Sequence, residues 1–148
     1  MENNQGRSSR IHGDYEGFKF AWINEYGGIT MEALNEYEGK SIEECIKACN
    51  ACYQECLKCL NHCLILGGEH SGAIHIKTLL ECAQICNISS TLLRMEGKFS
   101  QELCQICARS CDECEASCLS IGKDDSLMLE CARVCRYCAE TCRTMAAQ

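Results

Sequence analysis

The sequence predicts an all-α protein, namely an antiparallel, up-and-down four-helix bundle whose core is lined with cysteine. Three observations favour this fold. The 148-residue chain has no proline and is rich in residues that favour helices. Glycine-containing breaks separate four long segments in its C-terminal part. The 17 cysteines recur at alternating steps of three and four residues, which is the repeat of one helix face.

The composition changes near residue 40 and predicts two regions. Residues 1–40 form an aromatic-rich N-terminal extension without cysteine, and residues 41–148 form the cysteine-rich bundle. Alternating aromatic residues favour an extended stretch at 18–22, and residues 29–37 favour a few helical turns. We expect the extension to dock its aromatic side chains on the bundle or on a neighbouring subunit.

The four helices are expected at Ser41 to Leu66, Ala73 to Met95, Ser100 to Ile121 and Asp125 to Met145. Ser41 with Glu44 fits a capping box at the start of the first helix, and Asp124 or Asp125 can cap the fourth. Glycines are expected to end the first three helices, at Gly67 with Gly68, at Gly97 and at Gly122. The connections are short, which favours antiparallel neighbours in up-down-up-down order.

The cysteines of the first, third and fourth helices form a stripe along each helix. Residues in this rhythm share one face, and in a bundle that face points into the common core. The second helix has only two cysteines, and its stripe continues through His75, Leu79, Ser89 and Leu93. The candidate metal ligands are Cys45, Cys49, Cys52, Cys56, Cys59, Cys63, Cys82, Cys86, Cys104, Cys107, Cys111, Cys114, Cys118, Cys131, Cys135, Cys138 and Cys142.

Antiparallel alignment of the stripes predicts layers across the core. One end should combine Cys63, His75, Cys118 and Met128. The two middle layers should contain only cysteine, namely Cys56, Cys82, Cys111 and Cys135, then Cys52, Cys86, Cys107 and Cys138. The far end should combine Cys45, Leu93, Ser100 and Met145.

The number of cysteines requires a chemical explanation. A merely apolar core would use Leu, Ile and Val, which pack in better-defined rotamers. Cysteines three or four residues apart on a helix have Cβ atoms about 5 to 6 Å apart, too far for a disulfide. The N-terminus shows no signal-peptide pattern, so we expect a cytoplasmic protein, whose thiols stay reduced. Metal binding is therefore the expected role.

Thiolate sulfur selects soft metals, which leaves Cu(I), Zn(II) and iron-sulfur clusters as candidates. Exchange of a thiol proton for Cu(I) leaves the pair neutral, whereas Zn(II) with four thiolates leaves about two negative charges in the core. Many Cu(I) ions per chain are the preferred interpretation, and a zinc-buffering, metallothionein-like bundle is the alternative. An iron-sulfur protein is less favoured, because the cysteines continue a helix instead of wrapping a loop around a cluster.

Other classes of function find little support. The net charge is −7 and no basic cluster is present, so we expect no nucleic-acid partner. No stretch of about 18 apolar residues suggests a membrane span. No nucleophile paired with a base and no phosphate-binding loop is found, so we expect no enzyme. A thiol-redox protein is an alternative, but its Cys-x-x-Cys motif normally belongs to a βαβ fold.

The cysteine pattern resembles that of the bacterial copper-storage proteins, and more closely their cytosolic branch, over residues 41–146. The motifs that carry the resemblance are Cys45-x3-Cys49-x2-Cys52-x3-Cys56-x2-Cys59-x3-Cys63 and Cys131-x3-Cys135-x2-Cys138-x3-Cys142. The resemblance implies Cu(I) bound by pairs of thiolates, a homotetramer of bundles, and cytosolic storage or detoxification of copper. We expect glutathione or a copper chaperone as the donor.

The resemblance also implies that copper enters the bundle at an end where histidine or methionine gathers. The matching residues are His75 and Met128, beside Cys63 and Cys118, with His62 and His70 near the same mouth.

Overall fold

The computed structural model describes residues 31–148, with side chains from Ser41 onward. Four α-helices and one short 3-10 helix (Gly68–Ser71) follow one another: α1 (Met31–Leu66), α2 (Ala73–Arg94), α3 (Ser100–Ile121) and α4 (Ser126–Ala146). This part of the chain contains no strand, and none of its helices is long and apolar enough to cross a membrane. The all-α prediction is confirmed.

The four helices pack as antiparallel neighbours. Between α2 and α3, Cys82 contacts Cys111 and Cys86 contacts Cys107, so one helix runs up as the other runs down. Between α1 and α4 the same pattern is found, since the early cysteines of α1 contact the late ones of α4. The predicted up-and-down bundle is confirmed, and Ser41–Gln148 forms one compact unit.

The start of the first helix differs from the prediction. Helix α1 begins at Met31 and passes through Ser41, so the capping box predicted from Ser41 and Glu44 is wrong. The segment before Ser41 contains Met, Ala, Leu and Glu and no proline, and its glycine, Gly39, lies inside the helix. The Glu44 carboxylate instead accepts a hydrogen bond of 2.9 Å from the Tyr137 hydroxyl of α4. The predicted docking of residues 1–40 stays a prediction, because residues 1–30 lie outside the described chain.

The left-handed residue that ends α2 lies one position before the predicted glycine. Glu96, and not Gly97, has the positive φ of 51°. The Glu96 amide donates to the Leu93 carbonyl at 3.2 Å and the Gly97 amide to the Leu92 carbonyl at 2.9 Å. These two bonds form a Schellman motif with Glu96 at its left-handed position. The predicted role of Gly97 is therefore wrong by one residue.

The turn between α3 and α4 is tightly packed. A Cβ atom at Gly122 would lie 2.5 Å from the Cβ and from the Sδ of Met128, so the close approach of this buried methionine requires glycine. Asp125 caps α4, because its Oδ1 accepts hydrogen bonds from the amides of Leu127 at 3.0 Å and Met128 at 3.3 Å. The predicted cap by Asp125 is confirmed, as are the ends of helices at Gly67 with Gly68 and at Gly122.

Candidate metal centre

Sulfur dominates the interior of the bundle. All 17 cysteines have 0% of their surface exposed, and all are free thiols. Among the described residues, only three other buried side chains are polar, namely His75, Ser89 and Ser90. The heptad rhythm therefore places every predicted ligand in the core, as the sequence indicated.

The sulfur atoms form a network instead of isolated pairs. The Sγ of Cys52 lies 3.8 Å from that of Cys56, 3.9 Å from that of Cys82, 3.9 Å from that of Cys111 and 3.7 Å from that of Cys135. A metal–sulfur bond of about 2.3 Å spaces sulfur atoms by about 3.8 Å in a tetrahedral site and about 4.0 Å in a trigonal site. The thiols are thus already at the spacing that a shared metal ion requires.

The network contains overlapping groups whose sulfur atoms all lie within 4.8 Å of one another. Four such groups have four cysteines: Cys49, Cys107, Cys138 and Cys142; Cys52, Cys56, Cys82 and Cys135; Cys52, Cys86, Cys111 and Cys138; and Cys56, Cys114, Cys131 and Cys135. These groups share members, so at most two of the four can be filled independently.

The flat layers predicted from the sequence are wrong in detail. The predicted layer joins Cys111 with Cys56, Cys82 and Cys135, and the contact with Cys82 at 3.7 Å agrees with it. Cys111 also contacts Cys86 at 3.7 Å, however, and groups with Cys52, Cys86 and Cys138 instead of Cys56. Side chains at a bundle seam insert between successive side chains of the neighbouring helix, which staggers the cysteines. The staggering turns separate layers into one continuous network.

The far end of the bundle has an incomplete group. Cys45, Cys104 and Cys142 lie together, and the α2–α3 register places Ser89 opposite Cys104. Ser89 is 1% exposed, and its hydroxyl donates a 2.8 Å hydrogen bond to the Ile85 carbonyl of its own helix. Ser100 was predicted to join this end, but its hydroxyl instead donates to the Gly97 carbonyl at 2.6 Å.

At the opposite end, histidine meets the sulfur network. The Nε2 of His75 lies 3.5 Å from the Sγ of Cys63, and its Nδ1 lies 2.7 Å from the Ser117 hydroxyl. Burial lowers the pKa of His75 and raises the pKa of the Cys63 thiol. A neutral imidazole that donates from Nδ1 to Ser117 directs the Nε2 lone pair at Cys63, as a metal ligand requires. Sequence reasoning missed Ser117, since it lies off the cysteine stripe.

The other predicted mouth residues occupy different surroundings. Met128 is fully buried one turn before Cys131. His62 and His70 are about one quarter exposed, and both face Asp125 and not a cysteine, with His62 Nε2 at 2.7 Å and His70 Nε2 at 3.8 Å from its Oδ2. The hydrogen bond with His62 lowers the pKa of Asp125, and so do its bonds to the α4 amides.

Neighbouring thiols and burial both shift the pKa values of the core cysteines. Hydrogen bonds with Cys118 and Cys131, together with burial, raise the pKa of Cys59. No Lys or Arg is buried among the described residues, so no cation is available to balance thiolates in the core. A monovalent metal that replaces a proton keeps this core neutral, whereas a surplus of thiolate charge is costly in a dry interior.

The four-helix fold and the cysteine-lined core together define the class of protein, namely one that binds soft metal ions. The family model for copper storage proteins matches residues 38–147 of the chain. The chain belongs to the copper storage protein family.

Individual proteins are also similar to this chain, and one of them is a copper storage protein. The chain is 38% identical over 88 residues to the cysteine-rich protein YhjQ of Bacillus subtilis, a match that covers 57% of this chain and 77% of YhjQ. A crystal structure from Nitrosospira multiformis is similar with a TM-score of 0.68 and 42% identity, over 74% of this chain and 97% of that one. The Cu(I)-bound copper storage protein BsCsp3 has a TM-score of 0.66 and 36% identity, over 72% of this chain and 98% of its own.

Proposed function

We propose that the protein stores copper by binding many Cu(I) ions on the thiolates of its core. The observation that carries this proposal is the continuity of the sulfur network. Each stored ion exchanges for thiol protons, and neighbouring ions share cysteines. The 18 residue steps from Cys45 to Cys63 extend this network over about 27 Å along the bundle.

Zinc storage fits the spacing of single groups but not the core as a whole. Two independent groups of four cysteines use 8 of the 17 cysteines and leave nine without a tetrahedral site. Each filled zinc group also adds about two negative charges to an interior in which, over residues 41–148, no Lys or Arg is buried. Copper(I) accepts sulfur ligands in small numbers and can use all the cysteines, which favours copper.

Copper enters, in this proposal, at the end where His75 contacts Cys63. The imidazole of His75 receives the ion from the donor and passes it to the Cys63 thiolate. Met128, one turn before Cys131 on α4, supplies a thioether. His62 and His70 lie at the outer rim of the same end. A stopped-flow loading experiment on the combined variant His75→Ala with Met128→Ala tests this route. Slower uptake at unchanged final capacity supports it, and unchanged kinetics contradict it.

The reduced thiols and the exposed surface support a proposal for the cellular location, the copper donor and the oligomeric state. Reduced thiols require a reducing compartment, so we place the protein in the cytosol, with glutathione or a copper chaperone as the donor. Exposed apolar side chains such as Ile65 at 75% and Ile74 at 84% exposure support an oligomer, and the resemblance to the family suggests a homotetramer. Light scattering of the purified protein measures this state directly. Storage needs no turnover, so no catalytic step belongs to this function.

A cellular experiment tests storage itself. A copper-sensitive bacterium expresses either the wild-type chain or a variant in which the four cysteines of α4 are replaced by serine. We expect the wild type to improve growth in copper-supplemented medium and to retain copper in the protein fraction, with the variant retaining less. Equal growth and equal copper retention at matched protein levels would contradict the proposal.

A further inference from the structure

We propose that His62, His70 and Asp125 form a separate binding site for one divalent transition-metal ion, with Zn(II) as its simplest occupant. The three residues come from α1, from the 3-10 helix and from the N-cap of α4. The Asp125 Oδ2 faces the Nε2 atoms of both histidines, outside the sulfur core. Histidine and carboxylate are the donors that a site for Zn(II) uses most often besides cysteine.

One of the two distances from Asp125 to the histidines is shorter than the spacing between ligand atoms in a metal site, and the other is longer. Ligand atoms about 2.0 to 2.1 Å from a tetrahedral ion lie about 3.3 Å from one another. The Asp125 Oδ2 is 2.7 Å from His62 Nε2 and 3.8 Å from His70 Nε2. One distance must therefore lengthen and the other shorten by about half an ångström, which side-chain rotation supplies without moving a helix. The ion takes the place of the proton that now lies between His62 and Asp125.

The chemistry of these donors separates the site from the copper store. Imidazole and carboxylate bind borderline divalent ions, whereas Cu(I) prefers the thiolates of the core. The side chains of His62, His70 and Asp125 are 25%, 27% and 19% exposed, which allows a water molecule to complete the coordination.

A surface depression beside the site favours cations. It has a volume of about 690 Å³, and its lining includes His70 and Asp125 themselves. Glu69 and Asp124 add two further carboxylates, against one Lys123. The excess of negative charge raises the local concentration of a divalent ion.

The site is compatible with the fold, because Asp125 uses its two oxygens for different purposes. Its Oδ1 accepts from the amides that begin α4, while Oδ2 faces the two histidines. A bound ion therefore leaves the helix cap intact. It links the last turn of α1, the 3-10 helix and the start of α4 across one end of the bundle.

The test measures Zn(II) binding to protein whose thiolates are already occupied. Reduced protein is saturated with Cu(I) under anaerobic conditions, desalted, and titrated with Zn(II), and both metals are counted. We expect one Zn(II) per chain in the wild type. His70→Ala and Asp125→Asn should weaken binding by at least about tenfold, although asparagine still caps α4. Asp124→Asn is the matched control: it removes the same charge from the depression but no proposed ligand, so its affinity should fall by much less than that of Asp125→Asn.

A second probe identifies the ligands whether or not copper is loaded. Co(II) bound by histidine and carboxylate gives weak ligand-field bands without the intense charge-transfer absorption of a thiolate. We expect only weak bands in the difference spectrum between the wild type and Asp125→Asn. Absence of zinc binding in the copper-loaded wild type, or equal binding by His70→Ala and Asp125→Asn, would overturn the site. A failure of the protein to load Cu(I) would instead contradict the proposed storage function, and the Co(II) difference spectrum would then decide the site.

Discussion

The incomplete cysteine group at the far end allows a gain-of-capacity experiment. The register of α2 against α3 places a cysteine introduced at position 89 opposite Cys104, which forms a group with Cys45 and Cys142. Serine and cysteine have nearly the same shape, and Ser89 is only 1% exposed, so the new thiol has no alternative to the core. If thiolates are shared between copper ions, one added thiolate should allow about one more Cu(I) per chain.

The cost of this change should be small. The Ser89 hydroxyl donates only to the Ile85 carbonyl of its own helix, which the backbone already uses. Loss of such a bond costs about 0.5 to 1.5 kcal/mol and is offset by burial of the less polar sulfur. We therefore expect Ser89→Cys to differ from the wild type by less than about 1 kcal/mol in its free energy of unfolding.

The neighbouring Ser90 provides the matched control. It is equally buried, at 1% exposure, but lies about 100° further around the helix, off the cysteine stripe. Native mass spectrometry of copper-saturated protein resolves single copper ions and compares the two variants directly. We expect a higher copper count for Ser89→Cys and an unchanged count for Ser90→Cys. Equal counts in the two variants would refute the argument from position on the stripe, because both have the same number of thiols.

Three further predictions concern the helix ends. Gly122→Ala should reduce the free energy of unfolding by about 1 to 3 kcal/mol in urea denaturation, because its Cβ would lie 2.5 Å from the Sδ of Met128. A variant as stable as the wild type would show that Met128 does not pack tightly against Gly122. Glu96→Gly should stabilise the protein by up to about 1 kcal/mol in the same assay, because the residue has a positive φ of 51°; a loss of stability would contradict the assigned strain. Asp125→Ala should destabilise by about 1 kcal/mol near neutral pH through loss of the cap. The hydrogen bond from a neighbouring imidazole lowers the Asp125 pKa below its usual 3.8, so the part of this contribution that requires the ionised carboxylate is complete above pH 3.8 and is lost as the pH falls through the lowered pKa. A difference that stays the same size at lower pH would contradict this linkage.

Much of the fold follows from the sequence because one periodic signal determines it. The heptad spacing of cysteine fixes which face of each helix is buried, and this holds for every cysteine from Cys45 to Cys142. Helix ends that depend on local chemistry, such as the cap at Asp125, were also predictable. The start of α1 was not, because Ser41 has the same sequence signature whether it caps a helix or continues one.

The arrangement across helices depends on information that the periodicity lacks. Spacing along one helix gives no offset between neighbouring helices, so the stagger of Cys111 between Cys82 and Cys86 required the three-dimensional structure. The same limit applies to Ser117, which bonds to His75 from another helix. A buried histidine needs a hydrogen-bonding partner, but the sequence does not indicate which residue provides it.

Copper storage by the whole sulfur network is tested most directly by an anaerobic titration of fully reduced protein with Cu(I), in competition with a chromophoric chelator. The same titration is repeated with Zn(II). We predict uptake of many Cu(I) ions per chain, approaching the 17 cysteines, with zinc displaced when both metals compete. Saturation at one or two Cu(I), or tighter binding of Zn(II) by the core, would contradict copper storage and indicate a discrete metal site or a zinc buffer.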